Sequence, residues 1–234
     1  MAQTDGRAAF LAGATNDCPR CDLSGQNLSY RDLGKADLSG ANLSRARLHR
    51  AVLSRANLAG ANLAGANLNL ADLRFADLSG ADLTAALLFE ANASAARLTG
   101  ALLVGAKVQH AHFPRAAMVG VDLSGADATE ASMAGADLTG ADLSDLYAPG
   151  SDLRQTRLKG ADLSDSTFFE ANFTSADLTD AQIRDSDFRQ ARLTKAVFAN
   201  AVVAGSKFAR AWTQDADFTN VDLTTATGLT APTP

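Results

Sequence analysis

The sequence predicts an all-β coil built from very short strands and tight corners, with four five-residue blocks to each turn. Three observations carry this reading: an apolar residue at every fifth position, glycines and prolines held to fixed phases of that repeat, and similar residues recurring at intervals of 20. From Leu23 to Leu223 there are 41 centres, and 37 of them are Leu, Phe, Ile, Val or Met; Ala93, Ala128, Ala148 and Thr213 depart. The residue two before the centre is Ala in 30 blocks, the one before it is Asp or Asn in 23, and 14 of the 18 glycines sit two after a centre. The consensus is A-(D/N)-L-(S/T)-G.

A period of five is neither 3.6 nor 2, so on an α-helix the centres would step round by about 140° and line no face. Within a block the Ala and the centre are two apart and point the same way on an extended segment. A centre and the next Ala are three apart and are joined by a turn. Pro19, Pro114 and Pro149 each follow a centre directly, at the second position of that turn, where a fixed φ near −65° fits. A chain that turns repeatedly with its apolar residues inside winds into a coil, each turn stacking about 4.8 Å from the last. The recurrences at 20, such as Phe168, Phe188 and Phe208, or Phe198 and Phe218, set four blocks to the turn.

The elements follow in order. Residues 1–15 lie outside the repeat, where Thr4 or Asp5 is placed to cap a short helix over Arg7 to Ala12, ended by Gly13. Phe10 and Leu11 are expected to plug the open end of the coil, which is otherwise an unpaired edge. Residues 16–227 form the coil. Residues 228–234 fade through Gly228 into a frayed TAPTP tail. Ala148 is a small centre, but Leu146 fills its neighbouring small site, an exchange that conserves core volume.

Tandem A-(D/N)-L-x-x blocks resemble the pentapeptide-repeat family, and the resemblance covers about residues 21 to 225. It implies a right-handed quadrilateral β-helix of about ten coils, roughly 49 Å long, with the centre and the small residue two before it facing inward. It also brings a functional alternative, because some members imitate B-DNA in size and charge and bind DNA gyrase.

Composition narrows the function. With 47% hydrophobic residues, 20% charged and a net charge of −5, the chain is too mildly acidic for a disordered tail and a poor direct binder of nucleic acid. No run approaches the ~18 apolar residues of a membrane span. The chain is expected to be cytoplasmic if it is complete, and exported or periplasmic if a signal peptide was removed. Cys18 and Cys21 both point inward around one turn, compatible with a buried thiol pair, a disulfide locking the first coil, or metal or redox chemistry. No second CxxC or nearby His completes a zinc site. His110 and His112 straddle a corner with no third ligand, and no nucleophile, phosphate loop or enclosing pocket is suggested. The expectation is a protein that is not an enzyme and takes no cofactor or metal.

Charge and apolar surface offer two partner surfaces. Assigned to four faces, the blocks sum to −7 on the Leu23 face, +1 on the Leu28 face, +4 on the Leu33 face and −3 on the Leu38 face. The rod is dipolar across its width. Asp122, Asp142 and Asp162 stack on successive coils of the acidic face, joined by Asp145 and Asp165. Leu70, Phe75, Leu87, Phe89, Leu102 and Val104 point outward within three neighbouring coils, a surface for a protein partner or for a second copy in a homodimer. The leading expectation is a non-catalytic scaffold for protein–protein interaction. DNA mimicry toward gyrase is the alternative, and magnitudes weigh against it: about 49 Å of B-DNA bears roughly 29 negative charges, whereas this rod bears a net five and one basic face.

Overall fold

A computed structural model describes residues 2–229. One helix, α1, runs from Ala2 to Leu11, and a parallel ladder of single bridges follows, each residue paired with the one 20 further on, from Asp22 with Asn42 to Lys207 with Thr227. Besides the bond within each corner from the small-site N–H to the preceding centre's carbonyl, as from Ala41 to Leu38, three backbone hydrogen bonds recur between coils. A centre N–H donates to the next coil, as from Leu23 to Asn42 (2.7 Å); a corner N–H does the same, as from Gly25 to Ser44; and the N–H before a centre donates to the coil below, as from Asn42 to Cys21. Centres and small sites face inward and are buried from Cys18 to Phe208 with few exceptions, forming one continuous core. Leu146 and Ala148 are both buried in it. Of the phenylalanines 20 apart, Phe188 and Phe208 stack with ring centroids 5.3 Å apart and Phe198 and Phe218 at 4.8 Å, while Phe168 is tilted by 32° to Phe188.

All 41 corner residues from Arg20 to Asn220 have positive φ, between 53° and 74°, and 27 of them are not glycine. Only Gly enters this region without strain, so the non-glycine corners are held there by the ladder bonds on either side. In the last coil Thr213 is half-buried, and Phe218, Leu223 and Leu229 pack partly buried against the core end.

The helix departs from expectation at its start. Thr4 and Asp5 lie inside α1 rather than before it. Its end is as the sequence implies: Gly13 has φ +78°, its N–H bonds Phe10 O, and Ala14 N–H bonds Ala9 O, the paired closure of a Schellman motif. The plug is also corrected. Phe10 is fully buried, but Leu11 is 38% exposed, because successive helical residues point about 100° apart and only one can face the coil. Arg31 locks the cap: its guanidinium lies 3.9 Å from the Phe10 ring centroid and donates to Phe10 O, while Arg7 donates to Asp22 O at 2.6 Å. The tail residues 230–234 lie outside the described residues.

Candidate functional site

The outward rows are the surface a partner meets, and the residue before each centre has a structural duty the sequence did not disclose. Each of the 23 Asp and Asn residues there accepts, through its side-chain oxygen, the N–H of the residue two further on, at 2.9–3.2 Å. This is the Asx-turn geometry that favours these residues at corners. At three of the four small sites that carry Ser, the hydroxyl also bridges coils: buried Ser166, Ser186 and Ser206 donate to the carbonyls of Leu143, Leu163 and Ile183, whereas Ser151 donates to Ala148 O across its own corner.

Asp122, Asp142 and Asp162 are indeed ladder neighbours, and each holds its own corner through Ser124, Ser144 or Ser164. Asp145 and Asp165 are corner residues, and Asp185 continues their column on the next coil. Three arginines neutralise acids on their own blocks: Arg74, Arg154 and Arg189 fork onto Asp72, Asp152 and Asp187 at 2.6–2.8 Å. The hydrogen-bonded guanidiniums of Arg74 and Arg189 hold the Asp72 and Asp187 carboxyls below the ordinary aspartate range, against the opposing pull of burial. A depressed folded-state pKa supplies stability that is complete above the unfolded value and lost as pH falls through the folded one. The melting temperature is therefore expected to decline as pH drops below about 4, measured by circular dichroism.

The six apolar residues do not form one patch. Leu87 and Phe89 share a face, and Leu102 and Val104 lie on the adjoining face one coil up. Leu70 sits at the far corner of the Leu87 face, and Phe75 one corner further, its ring 5.7 Å from the Arg55 guanidinium. Phe89 also meets the His110 ring edge-on at 5.4 Å, and His110 Nδ1 lies 3.3 Å from Glu130. Cys18 and Cys21 are buried and joined as a disulfide across the first corner, their Cα atoms 5.4 Å apart. Among the described residues no three His, Cys, Asp or Glu side chains are grouped to hold a metal ion, and no helix is long and apolar enough to cross a membrane. An open groove of about 590 Å³, which sequence reasoning missed, is lined by Asp152, Arg154, Asn172, Arg192 and Trp212. Its signal was the column at 20-residue spacing, in which the Arg192 guanidinium lies 5.1 Å from the Trp212 ring.

The sequence model of the family described as pentapeptide repeats matches the chain in eight copies, over residues 17–55, 51–88, 81–116, 109–145, 150–185 and 176–211. The chain is a pentapeptide-repeat protein. Its fold is the right-handed quadrilateral β-helix of that family. Among solved pentapeptide-repeat structures it is similar to HetL, involved in heterocyst differentiation regulation in the cyanobacterium Nostoc, at 28% identity over 92% of this chain and 94% of that one, with a TM-score of 0.46. It also resembles QnrB1, a plasmid-mediated fluoroquinolone resistance protein, at 20% identity over 70% and 83% of the two chains, with a TM-score of 0.49. A pentapeptide-repeat protein of the Arabidopsis thaliana thylakoid lumen is 33% identical over 48% of this chain and 69% of its own, with a TM-score of 0.31. No curated protein sequence matches the chain.

Proposed function

We propose that this pentapeptide-repeat rod is a non-catalytic scaffold for protein–protein interaction. The observation that supports it is the ladder, unbroken from Asp22 to Asp217 in a constant 20-residue register and resumed by Lys207 with Thr227, which fixes the outward rows at constant pitch on a stiff body. Such rows suit a partner docked along the rod. They do not enclose a small substrate, as catalytic sites do. The basic face opposite the acidic one, and the engagement of Asp122, Asp142 and Asp162 with their own corners, favour this reading over DNA mimicry.

The test combines capture with a gyrase assay. The native rod is expected to retain a partner protein from its source cell, Leu87→Lys with Phe89→Glu to lose it, and the joint Asn variant of Asp122, Asp142, Asp145, Asp162 and Asp165 to keep it. Asn preserves the Asx bonds, so that variant stays folded. Gyrase supercoiling is expected to be unchanged at rod concentrations comparable to the enzyme. Potent inhibition by the native rod, lost in the Asn variant and steeply salt-dependent, would overturn the scaffold reading in favour of DNA mimicry.

A further inference from the structure

We propose that the groove lined by Asn172, Arg192 and Trp212 is a docking site for a short acidic peptide segment of a partner protein, extended along the rod. The proposal rests on the scaffold reading and adds to the Leu87 and Phe89 surface a second site whose ligand chemistry is stated. Two parallel columns line the groove. One is the row Asp152, Asn172, Arg192 and Trp212, ladder neighbours on successive coils. The other is the corner column Gly150, Glu170, Gln190 and Arg210, all at positive φ. Each column spans three coil steps, about 14 Å, which is the length of about four residues of extended chain.

Charge is ordered along the groove. At one end the fork of Arg154 on Asp152 is a closed pair at 2.7–2.8 Å. At the other end stand Arg192 and Arg210, and none of the ion pairs among the described residues uses either of them. The surroundings reinforce that end. Residues 186–214 hold five basic side chains and one acidic one, Asp187, onto which Arg189 already forks. This segment therefore carries a net +4 and the rest of the chain −9. A short anion is drawn to such a local basic field. A long one is not, because a nucleic-acid strand adds a charge with every nucleotide and would extend beyond the groove over a rod whose remaining charge is −9. The basic end selects a ligand whose negative charge is confined to a few residues, as in an acidic peptide segment.

The middle of the groove suits a peptide backbone. Asn172 spends its side-chain oxygen on the N–H and hydroxyl of Thr174, which leaves its amide nitrogen to donate to a peptide carbonyl. The Gln190 side chain offers both a donor and an acceptor, and the Glu170 carboxylate accepts from a peptide N–H. An extended segment needs such partners for the backbone groups that a sheet would otherwise satisfy. Trp212 stands at the basic end. Its indole is 61% exposed and is steadied by the Arg192 guanidinium 5.1 Å from its ring, so it presents apolar surface to the stem of an acidic side chain. Trp and Arg are the residues that most often carry the binding energy of protein interfaces.

Trp212 is the only tryptophan of the chain, so its fluorescence reports on the groove itself. The experiment titrates the purified protein with end-capped tetraglutamate at low and high ionic strength, by fluorescence and by calorimetry. Tetraglutamine, tetralysine, inorganic phosphate and tetrathymidylate serve as separate probes. Tetraglutamate is expected to shift the Trp212 emission saturably, with a dissociation constant that rises with salt, while the other four probes show no saturation over the same range. Arg192→Gln with Arg210→Gln should raise that constant on the order of tenfold, read by calorimetry because Arg192 lies against the fluorophore. Glu170→Gln should lower it, since it removes an acid beside the ligand. Arg115→Gln, at a corner outside the groove, should leave it unchanged. Glutamine already occupies equivalent outward positions at Gln182 and Gln190, so the variants keep the fold, checked by their circular dichroism melts. No saturable response to tetraglutamate at low salt, equal or tighter binding of phosphate or the oligonucleotide, or a constant indifferent to the paired arginine changes would overturn the proposal. Because the titration contains no partner protein, such a result removes the groove site while the scaffold reading stands on capture through the Leu87 and Phe89 surface.

Discussion

Leu63→Asp is expected to abolish cooperative folding of the central coils. Leu63 is fully buried, and its neighbours across the core are Leu and Ala side chains that offer a carboxylate no partner. Removing a buried Leu costs about 2–5 kcal/mol through lost transfer energy and the cavity left behind. An unpaired buried charge adds several kcal/mol more, which together approaches the whole stability of an ordinary domain. In a solenoid each coil contacts only its neighbours, so the damage should centre on the coils carrying Leu43, Leu63 and Leu83. Hydrogen exchange would show their ladder amides unprotected, with a large fall in melting temperature. Leu63→Met, which roughly conserves volume, should cost less than about 1.5 kcal/mol. An Asp variant that melts with the parent would mean that the centres do not face a dry core.

That expectation was open to sequence reasoning because the five-residue period leaves one geometry in which every Leu is shielded. The same reasoning lost information wherever a choice of residue served the backbone. The Asp or Asn before each centre read as a polar outward position, and its bond to the N–H two residues on emerges only from the structure. The left-handed corners showed through their glycines, but Arg45, Arg50 and Arg55 hold the same φ and carry no local signal of it. Distance was the other loss. Leu70, Phe75, Leu87, Phe89, Leu102 and Val104 are close in number, yet neighbours on the rod are residues 20 apart or residues meeting at one corner, which leaves Leu70 and Phe75 on other edges. Asp185 was missed for the converse reason: it completes the column of Asp145 and Asp165 from 20 residues beyond the stripe as first drawn. At the cap, the helix–coil contact through Phe10 and Arg31 joins residues from a helix and a coil, a pairing that neither repeat nor helical period encodes.

Proline placement separates the two kinds of outward position most sharply. Ala117 and Val119 flank the centre Met118, point outward and lie two residues apart. Ala117 N–H donates to Ala96 O of the coil below at 2.9 Å, whereas the residue after a centre gives its N–H to no ladder bond. That N–H goes to a side-chain oxygen, either of an Asp or Asn before the centre or, for Phe89 and Arg184, of Asn69 and Ser164 on the coil below; before Met118, Ala117 supplies no such acceptor. The natural prolines obey the same rule: Pro114 and Pro149 follow centres preceded by His112 and Tyr147, and Asp17, before Pro19, accepts instead from Asp37 N–H. Val119→Pro should therefore be tolerated or slightly stabilising, within about 1 kcal/mol, since it removes freedom from the unfolded chain. Ala117→Pro removes a ladder bond and forces its ring toward the coil below, a cost of about 3 kcal/mol or more. For a chain of this size that corresponds to a fall of roughly 6–12 °C in melting temperature. Parallel melts of the two variants measure the difference, and equal losses would show that the N–H after the centre is also a ladder donor, contrary to the bonding pattern of the coil.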